Sequence, residues 1–165
     1  AEDDGDWYCA LSISDIHKDT IWSLAPAPGG GRLISGSADG NLAILKNYTS
    51  KERKEQYPDE KHGTNGIWKC VGVLDNAHDS YTIYSVDCAP ARVGHGRLVS
   101  GGGDQRIQVY REVSGSTSDK PLFALDVAVN TNQGDVNCVA WHPTDGSILC
   151  SAGDDGTVII WNYQV

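Results

Sequence analysis

Serine, histidine and aspartate residues recur at corresponding places in three similar segments of the chain, and these residue types could build a hydrolytic triad. A catalytic triad needs to occur only once, however, and no G-x-S-x-G turn that would expose a serine nucleophile is present. A turn carboxylate can instead accept hydrogen bonds from backbone N–H groups and from an imidazole, which can then meet a serine hydroxyl. We therefore predict no catalytic residue but a structural network of His17, Ser35, Asp39, His78, Ser100, Asp104, Tyr110, Ser151, Asp155 and Trp161.

The five cysteines are the other residues that could carry chemistry, as metal ligands or as disulfides. None of them forms a C-x-x-C pair or a Cys–His cluster with the spacing of metal ligands. Each lies in an apolar run, so we predict buried, reduced thiols, with no metal and no cofactor. The glycine-containing segments GRLISG and GRLVSG lack a Walker lysine, which disfavours phosphate binding.

The composition is that of an ordinary globular protein, with 39% hydrophobic and 21% charged residues. A net charge of −9 disfavours nucleic-acid binding and suits either basic partner surfaces or simple solubility. No apolar run approaches the roughly 18 residues that a membrane span needs. We therefore predict neither a nucleic-acid nor a membrane partner.

The elements that must position these residues are short strands in a repeated order. Apolar runs at 21–46, 83–111 and 136–162 align with one another, and each follows a further apolar run, at 7–13, 68–74 and 122–128. Asp39-Gly40 and Asp155-Gly156 are strong hairpin signals, whereas Asp104-Gln105 is a weaker one. We predict repeats at about 7–46, 68–111 and 121–163, with loop insertions at 47–67 and 112–120.

The first insertion contains helix-forming residues at 51–61, but these residues show no apolar stripe and include Pro58. We therefore predict a solvated loop there. Four tryptophans outside the network are interpreted as residues that pack the repeats together: Trp7, Trp22, Trp68 and Trp141.

The repeats resemble WD40 repeats, which place a histidine before the first strand, a serine in the second strand, an aspartate in the following turn and a tryptophan in the third strand. The match is incomplete in every repeat. Leu45 stands at the tryptophan position of the first repeat, His78 is shifted by one residue in the second, and Asn132 stands at the histidine position of the third. The resemblance implies an all-β fold, a WD40 β-propeller.

WD40 repeats are offset from blades, because the first run of a repeat is the outer strand of the preceding blade. On that rule the chain holds two complete blades and a third without its outer strand, whereas propellers have four to eight blades. We predict a three-blade portion at the C-terminal end of a larger ring. The run at 157–163 should then pair with a strand from the N-terminal portion, and the run at 7–13 should complete a blade of that portion.

Three motifs give a narrower resemblance: D-W-Y-C-A-L, W-K-C-V-G-V-L, and D-V-N-C-V-A-W-H-P followed by S-A-G-D-D-G-T-V-I-I-W-N-Y-Q. They are similar to the last three repeats of the WD40 proteins of cytosolic iron–sulfur protein assembly. The resemblance implies a seven-bladed, non-catalytic scaffold of the targeting complex, in the cytoplasm and also the nucleus. Its partners would be the other subunits of that complex, the apo-protein clients that it docks, and the N-terminal portion of its own propeller.

Two alternatives stay open beside this interpretation. A generic WD40 adaptor, such as a ubiquitin-ligase receptor or a chromatin-associated module, would show the same repeats. A propeller enzyme is disfavoured because the structural network accounts for each candidate catalytic residue.

Overall fold

The fold consists of three antiparallel sheets, in a computed structural model that describes residues 9–58, 66–90 and 96–164. The first blade contains β1 (Ile21–Pro26), β2 (Arg32–Ser37), β3 (Leu42–Tyr48) and β4 (Ile67–Leu74). The middle blade contains β5 (Ile83–Cys88), β6 (Leu98–Gly102), β7 (Arg106–Glu112) and β8 (Phe123–Asn130). The last blade contains β9 (Val136–Trp141), β10 (Ile148–Gly153) and β11 (Val158–Asn162).

In each blade the strands are hydrogen-bonded in sequence order, so the prediction of an all-β, partial propeller of three sheets is confirmed. The turn between the second and third strands requires a left-handed residue. Gly40 and Gly156 supply it in the first and last blades with φ of 77° and 76°. Gln105 takes the same conformation in the middle blade with φ of 65°.

Neighbouring blades are held together by two apolar cores. One lies between the first and middle blades and includes Ile34, Ile44, Ile83 and Leu98. The other lies between the middle and last blades and includes Val99, Val136, Trp141 and Leu149.

Glycine follows the network serine at both interfaces for a steric reason. A Cβ on Gly36 would lie 2.8 Å from side-chain carbons of Ile83 and Val86. A Cβ on Gly101 would lie 2.6 Å from Val136. The Ser-Gly pairs of the first two repeats therefore allow the next blade to approach closely.

One helix, α1 (Ser50–Gln56), lies in the first insertion, so the prediction of a solvated loop there was wrong. The helix starts with a reciprocal capping box, in which Thr49 accepts from the backbone of Glu52 and the Glu52 side chain accepts from the backbone of Thr49. In the parts of the chain that the structure describes, no helix has the length and apolarity to cross a membrane.

The last blade has an open side. Within the described residues β11 pairs only with β10, and Val158 and Ile160 are 68% and 66% exposed. The run predicted at 7–13 lies partly outside the described residues, and residues 9–13 are in no strand.

Candidate functional site

The first blade brings together the three residues predicted for it. His17 places Nδ1 3.1 Å from Asp39 Oδ2 and Nε2 2.8 Å from Ser35 Oγ. Backbone N–H groups of Lys18 and Asn41 also donate to the Asp39 carboxylate. Burial alone would raise the pKa of Asp39, but these backbone donors and the imidazole hold it below its ordinary value.

The middle blade contains the most enclosed form of this arrangement. His78 is fully buried, with Nδ1 2.7 Å from Asp104 Oδ1 and Nε2 2.7 Å from Ser100 Oγ. Burial would raise the pKa of Asp104, yet the His78 hydrogen bond and charge, with donors from the Arg106 backbone and the Gln108 amide, lower it.

Tyr110 does not reach the serine as the expected tryptophan would. Its hydroxyl lies 2.9 Å from Ala77 O and 2.8 Å from Gln108 Oε1, two acceptors that share its one proton, and Gln108 Nε2 donates to Asp104 at 3.4 Å. The phenol therefore joins the aspartate through an amide rather than through Ser100. The physical reason is the different shape and donor position of a phenol and an indole.

The last blade replaces histidine with Gln133, not with Asn132 as the sequence spacing indicated. Ser151 Oγ donates to Gln133 Oε1 at 2.5 Å, and Gln133 Nε2 donates to Thr157 O at 3.0 Å. Trp161 Nε1 donates to Ser151 Oγ at 2.9 Å, which is the expected tryptophan–serine contact. A shift by one residue, like that of His78, was the signal that could have found Gln133.

Asp155 differs from its counterparts because it is exposed. Its carboxylate accepts from Thr157 N at 2.9 Å and Thr157 Oγ1 at 2.8 Å, and within the described residues this carboxylate has no hydrogen bond to the Gln133 side chain. The Gln133 amide, unlike a protonated imidazole, carries no positive charge that could stabilise a buried carboxylate. The last turn is therefore held by its own Thr157 bonds and by the loop before β9, where the backbone N–H of Asp155 donates to Gln133 O at 3.0 Å.

The serine hydroxyls in these networks are closed off from solvent. Ser35, Ser100 and Ser151 are each at most 1% exposed. A serine nucleophile must reach its substrate, and these hydroxyls are instead enclosed and hydrogen-bonded to neighbouring side chains. What the arrangement can do chemically is tie the entry loop of a blade to its hairpin.

All five cysteines are free, but the expectation that they are buried was wrong for three of them. Cys9, Cys70 and Cys138 are exposed, and Cys138 lies on the face of β9 opposite the core residues Val139 and Trp141. Cys88 is half-buried, and burial together with the charge of Asp87 raises the pKa of its thiol to about 12. No cluster of three or more metal-ligating side chains occurs in the described residues.

The tryptophans interpreted as packing residues differ in how far they are buried. Trp141 is 6% exposed and belongs to the core of the last blade. Trp22 contacts Tyr84 of the middle blade edge to face, with ring centroids 5.7 Å apart, although its side chain is 56% exposed. Trp68 is half-buried, and Trp7 lies outside the described residues.

Comparison with known proteins agrees with this architecture. The family model described as "WD domain, G-beta repeat" matches residues 8–44 and 126–162. In solved structures, the chain is similar to Sqt1 from Chaetomium thermophilum, with a TM-score of 0.64 and 20% identity over 90% of this chain and 32% of that one. That similarity concerns the fold alone.

Curated relatives carry the name "Probable cytosolic iron-sulfur protein assembly protein Ciao1". The proteins of Culex quinquefasciatus and Aedes aegypti are each 31% identical over 98% of this chain, covering 46% and 45% of their own length. The human protein is 37% identical over 62% of this chain and 29% of its own length. The chain thus spans about half the length of the first two relatives. It carries WD40 repeats, forms part of a WD40 propeller and is homologous to the Ciao1 cytosolic iron–sulfur protein assembly proteins.

Proposed function

We propose that this chain is part of a non-catalytic WD40 scaffold that docks apo-proteins of the cytosol so that they receive iron–sulfur clusters. The observation that carries the proposal is similarity over nearly the whole chain to proteins named for cytosolic iron–sulfur protein assembly. The cluster is the cargo of such a scaffold and not its own cofactor.

The geometry of the networks supports a scaffold rather than an enzyme. The candidate nucleophiles are enclosed, and the residues around them fix loops to hairpins in consecutive blades. Packed blades with fixed loops present a constant surface to partners without ordering costs at the moment of binding. This is what a protein that holds others together requires.

The proposed partners are the other subunits of the targeting complex, apo-protein clients and the N-terminal portion of the same propeller. The last of these would cover the open face of the last blade, which we define as Cys138, Ala140, Cys150, Val158 and Ile160. A strand from that portion would pair with the free edge of β11. The proposed location is the cytosol, with the nucleus as a second site.

Affinity purification of the full-length protein that contains this chain tests the proposal. We expect mass spectrometry to recover iron–sulfur assembly proteins together with apo-forms of cluster-binding proteins. An unrelated WD40 protein purified in parallel is the control for non-specific capture. Recovery of ubiquitin-ligase subunits or histones in their place would favour the generic adaptor and contradict the proposal.

A further inference from the structure

The second insertion presents an exposed serine at the tip of a tight loop. Residues 113–122 connect β7 to β8, and within them Thr117 and Lys120 are hydrogen-bonded to each other on either side of Ser118, at 3.0 and 3.1 Å. Ser118 is exposed, and its hydroxyl oxygen accepts from Lys46 Nζ at 3.1 Å. Exposed loop tips with small polar residues are places where proteases and other enzymes that act on a folded chain gain access.

Ser116, in the same loop, is less available because its hydroxyl group is used on both sides. Ser116 Oγ donates to Glu112 Oε1 at 2.5 Å and accepts from the backbone N–H of Leu122 at 3.0 Å. A group attached to this oxygen would have to break the bond to Glu112 and crowd the start of β8. Ser118 makes no such bond to the backbone of its own loop in the part of the chain that the structure describes.

Ser118 lies beside a lysine that two carboxylates already share. Lys46 Nζ is 2.7 Å from Glu52 Oε1 and 3.0 Å from Asp119 Oδ1, and the lysine side chain is 7% exposed. The bonds from Lys46 lower the pKa of Asp119 and hold that of Glu52 at about 2, so both carboxylates are ionised at neutral pH. With the Ser118 hydroxyl, the three protons of the ammonium group are all engaged.

We propose that Ser118 is a phosphorylation site and that its phosphorylation releases the second insertion from Lys46. A serine/threonine protein kinase would transfer the γ-phosphoryl group of ATP to Ser118 Oγ, with loss of the hydroxyl proton and release of ADP. The phosphate adds a charge of about −1.5 to −2 at pH 7 next to Glu52 and Asp119. Three anionic groups then compete for one ammonium group, and their repulsion moves the loop away. Arg32 does not offset this charge, because its guanidinium group is already bonded to Glu112 and to the backbone of the loop.

Release of the loop would change the surface at this end of the molecule. Lys46, Glu52 and Ser118 help to line a cavity of about 560 Å³ between the first and middle blades, together with apolar residues that include Leu98 and Phe123. Movement of the loop opens this cavity, while the strands keep the ladder bonds that hold each sheet. The modification would therefore alter what the protein can bind here without unfolding it. This inference goes beyond the proposed function and does not depend on it.

Phosphosite mapping tests the first half of this inference. The full-length protein is isolated from its native cells in the presence of phosphatase inhibitors, and its peptides are analysed by mass spectrometry. We expect a phosphate on Ser118 that phosphatase treatment removes. Unmodified Ser118 in protein from both growing and stressed cells would overturn the assignment, as would phosphate found on Ser116 alone.

Hydrogen–deuterium exchange of the full-length protein tests the second half. We expect Ser118→Glu, which adds a negative charge at the same position, to speed amide exchange in residues 50–56 and 112–120 by about twofold to fivefold. Ser114→Glu is the matched control, because it adds the same charge at an exposed position of the same insertion, and it should exchange as wild type does. The double substitution Ser118→Glu/Asp119→Asn leaves two carboxylates around Lys46 and should restore slow exchange. Equal exchange in the Ser118→Glu and Ser114→Glu variants would contradict the release of the loop.

Discussion

Asp104 and Asp155 occupy the same turn position in neighbouring blades but have different surroundings. The Asp104 side chain is 5% exposed and faces His78, whereas Asp155 is exposed and bonds to Thr157. Removal of a buried carboxylate leaves its hydrogen-bond donors unsatisfied. The donors to an exposed turn carboxylate can bond to water instead.

Substitution of these two aspartates should therefore have unequal effects on stability. We expect Asp104→Ala to lower the free energy of unfolding by about 1–3 kcal/mol, and Asp155→Ala to lower it by about 0.5 kcal/mol. Denaturant melts of the full-length protein measure both. Equal losses would show that burial of the turn carboxylate does not matter.

Acid should destabilise the first two blades through the same carboxylates. The pKa values of Asp39 and Asp104 lie below their ordinary values in the folded protein. Their contribution is therefore present above the unfolded pKa of about 3.9 and is lost as the pH falls through the folded pKa. Between neutral pH and about pH 3, the free energy of unfolding of the Asp104→Asn variant should fall by less than that of the wild type, because the variant has no carboxylate at this position to protonate. Parallel stability curves for the two proteins would contradict this expectation.

The spacing of the repeats predicted the histidine–aspartate pairs. In the structure both His17–Asp39 and His78–Asp104 lie within hydrogen-bonding distance. The spacing did not identify Gln133, because the loop before β9 is shifted by one residue relative to that of the first blade. An amide is also not a recognised substitute for imidazole. The exposure of Trp22 was also missed, because a bulge removes the residue from the alternation on which burial predictions depend.

Strands were predictable from the sequence because Asp-Gly turns and apolar runs agree with each other, but α1 was not. Helix α1 buries none of its residues, so its sequence has no apolar stripe from which a helix could be predicted. Its stability comes from the capping box and from Lys46, whose ammonium group bonds to Glu52 at 2.7 Å and to Asp119 at 3.0 Å. Lys46 thereby ties both insertions to β3.

Lys46→Met should release the two insertions while leaving the sheets intact. The side chain of Lys46 is 7% exposed, and its removal leaves Glu52 and Asp119 without their shared cation. We expect faster amide exchange in residues 50–56 and 112–120, with protection of β1–β3 retained. Lys51→Met, an exposed position on the same helix, is the control and should leave exchange in residues 112–120 unchanged.

At the scale of the whole molecule, the last blade carries an apolar face that no blade of the described chain covers. Val158 and Ile160 lie beside Ala152 and Cys150 on this face, next to the free edge of β11. Exposed apolar surface beside an unpaired strand is a template for association.

The 165 residues alone should therefore self-associate, and co-expression with the remaining portion of the full-length protein should suppress this. Ile160→Lys should also reduce association, because a charge on the open face disfavours burial. Sedimentation velocity distinguishes the outcomes. A monodisperse monomer of the wild-type 165 residues would show that the open face needs no partner.

The central claim is a role in cytosolic iron–sulfur protein assembly, and delivery of clusters to clients measures it most directly. Cells depleted of the full-length protein are labelled with radioactive iron, and a cytosolic iron–sulfur enzyme is immunoprecipitated. We expect its iron content to fall while its polypeptide level and mitochondrial iron–sulfur enzymes are maintained, with recovery on re-expression. Undiminished iron in the cytosolic enzyme after depletion would contradict the proposed function.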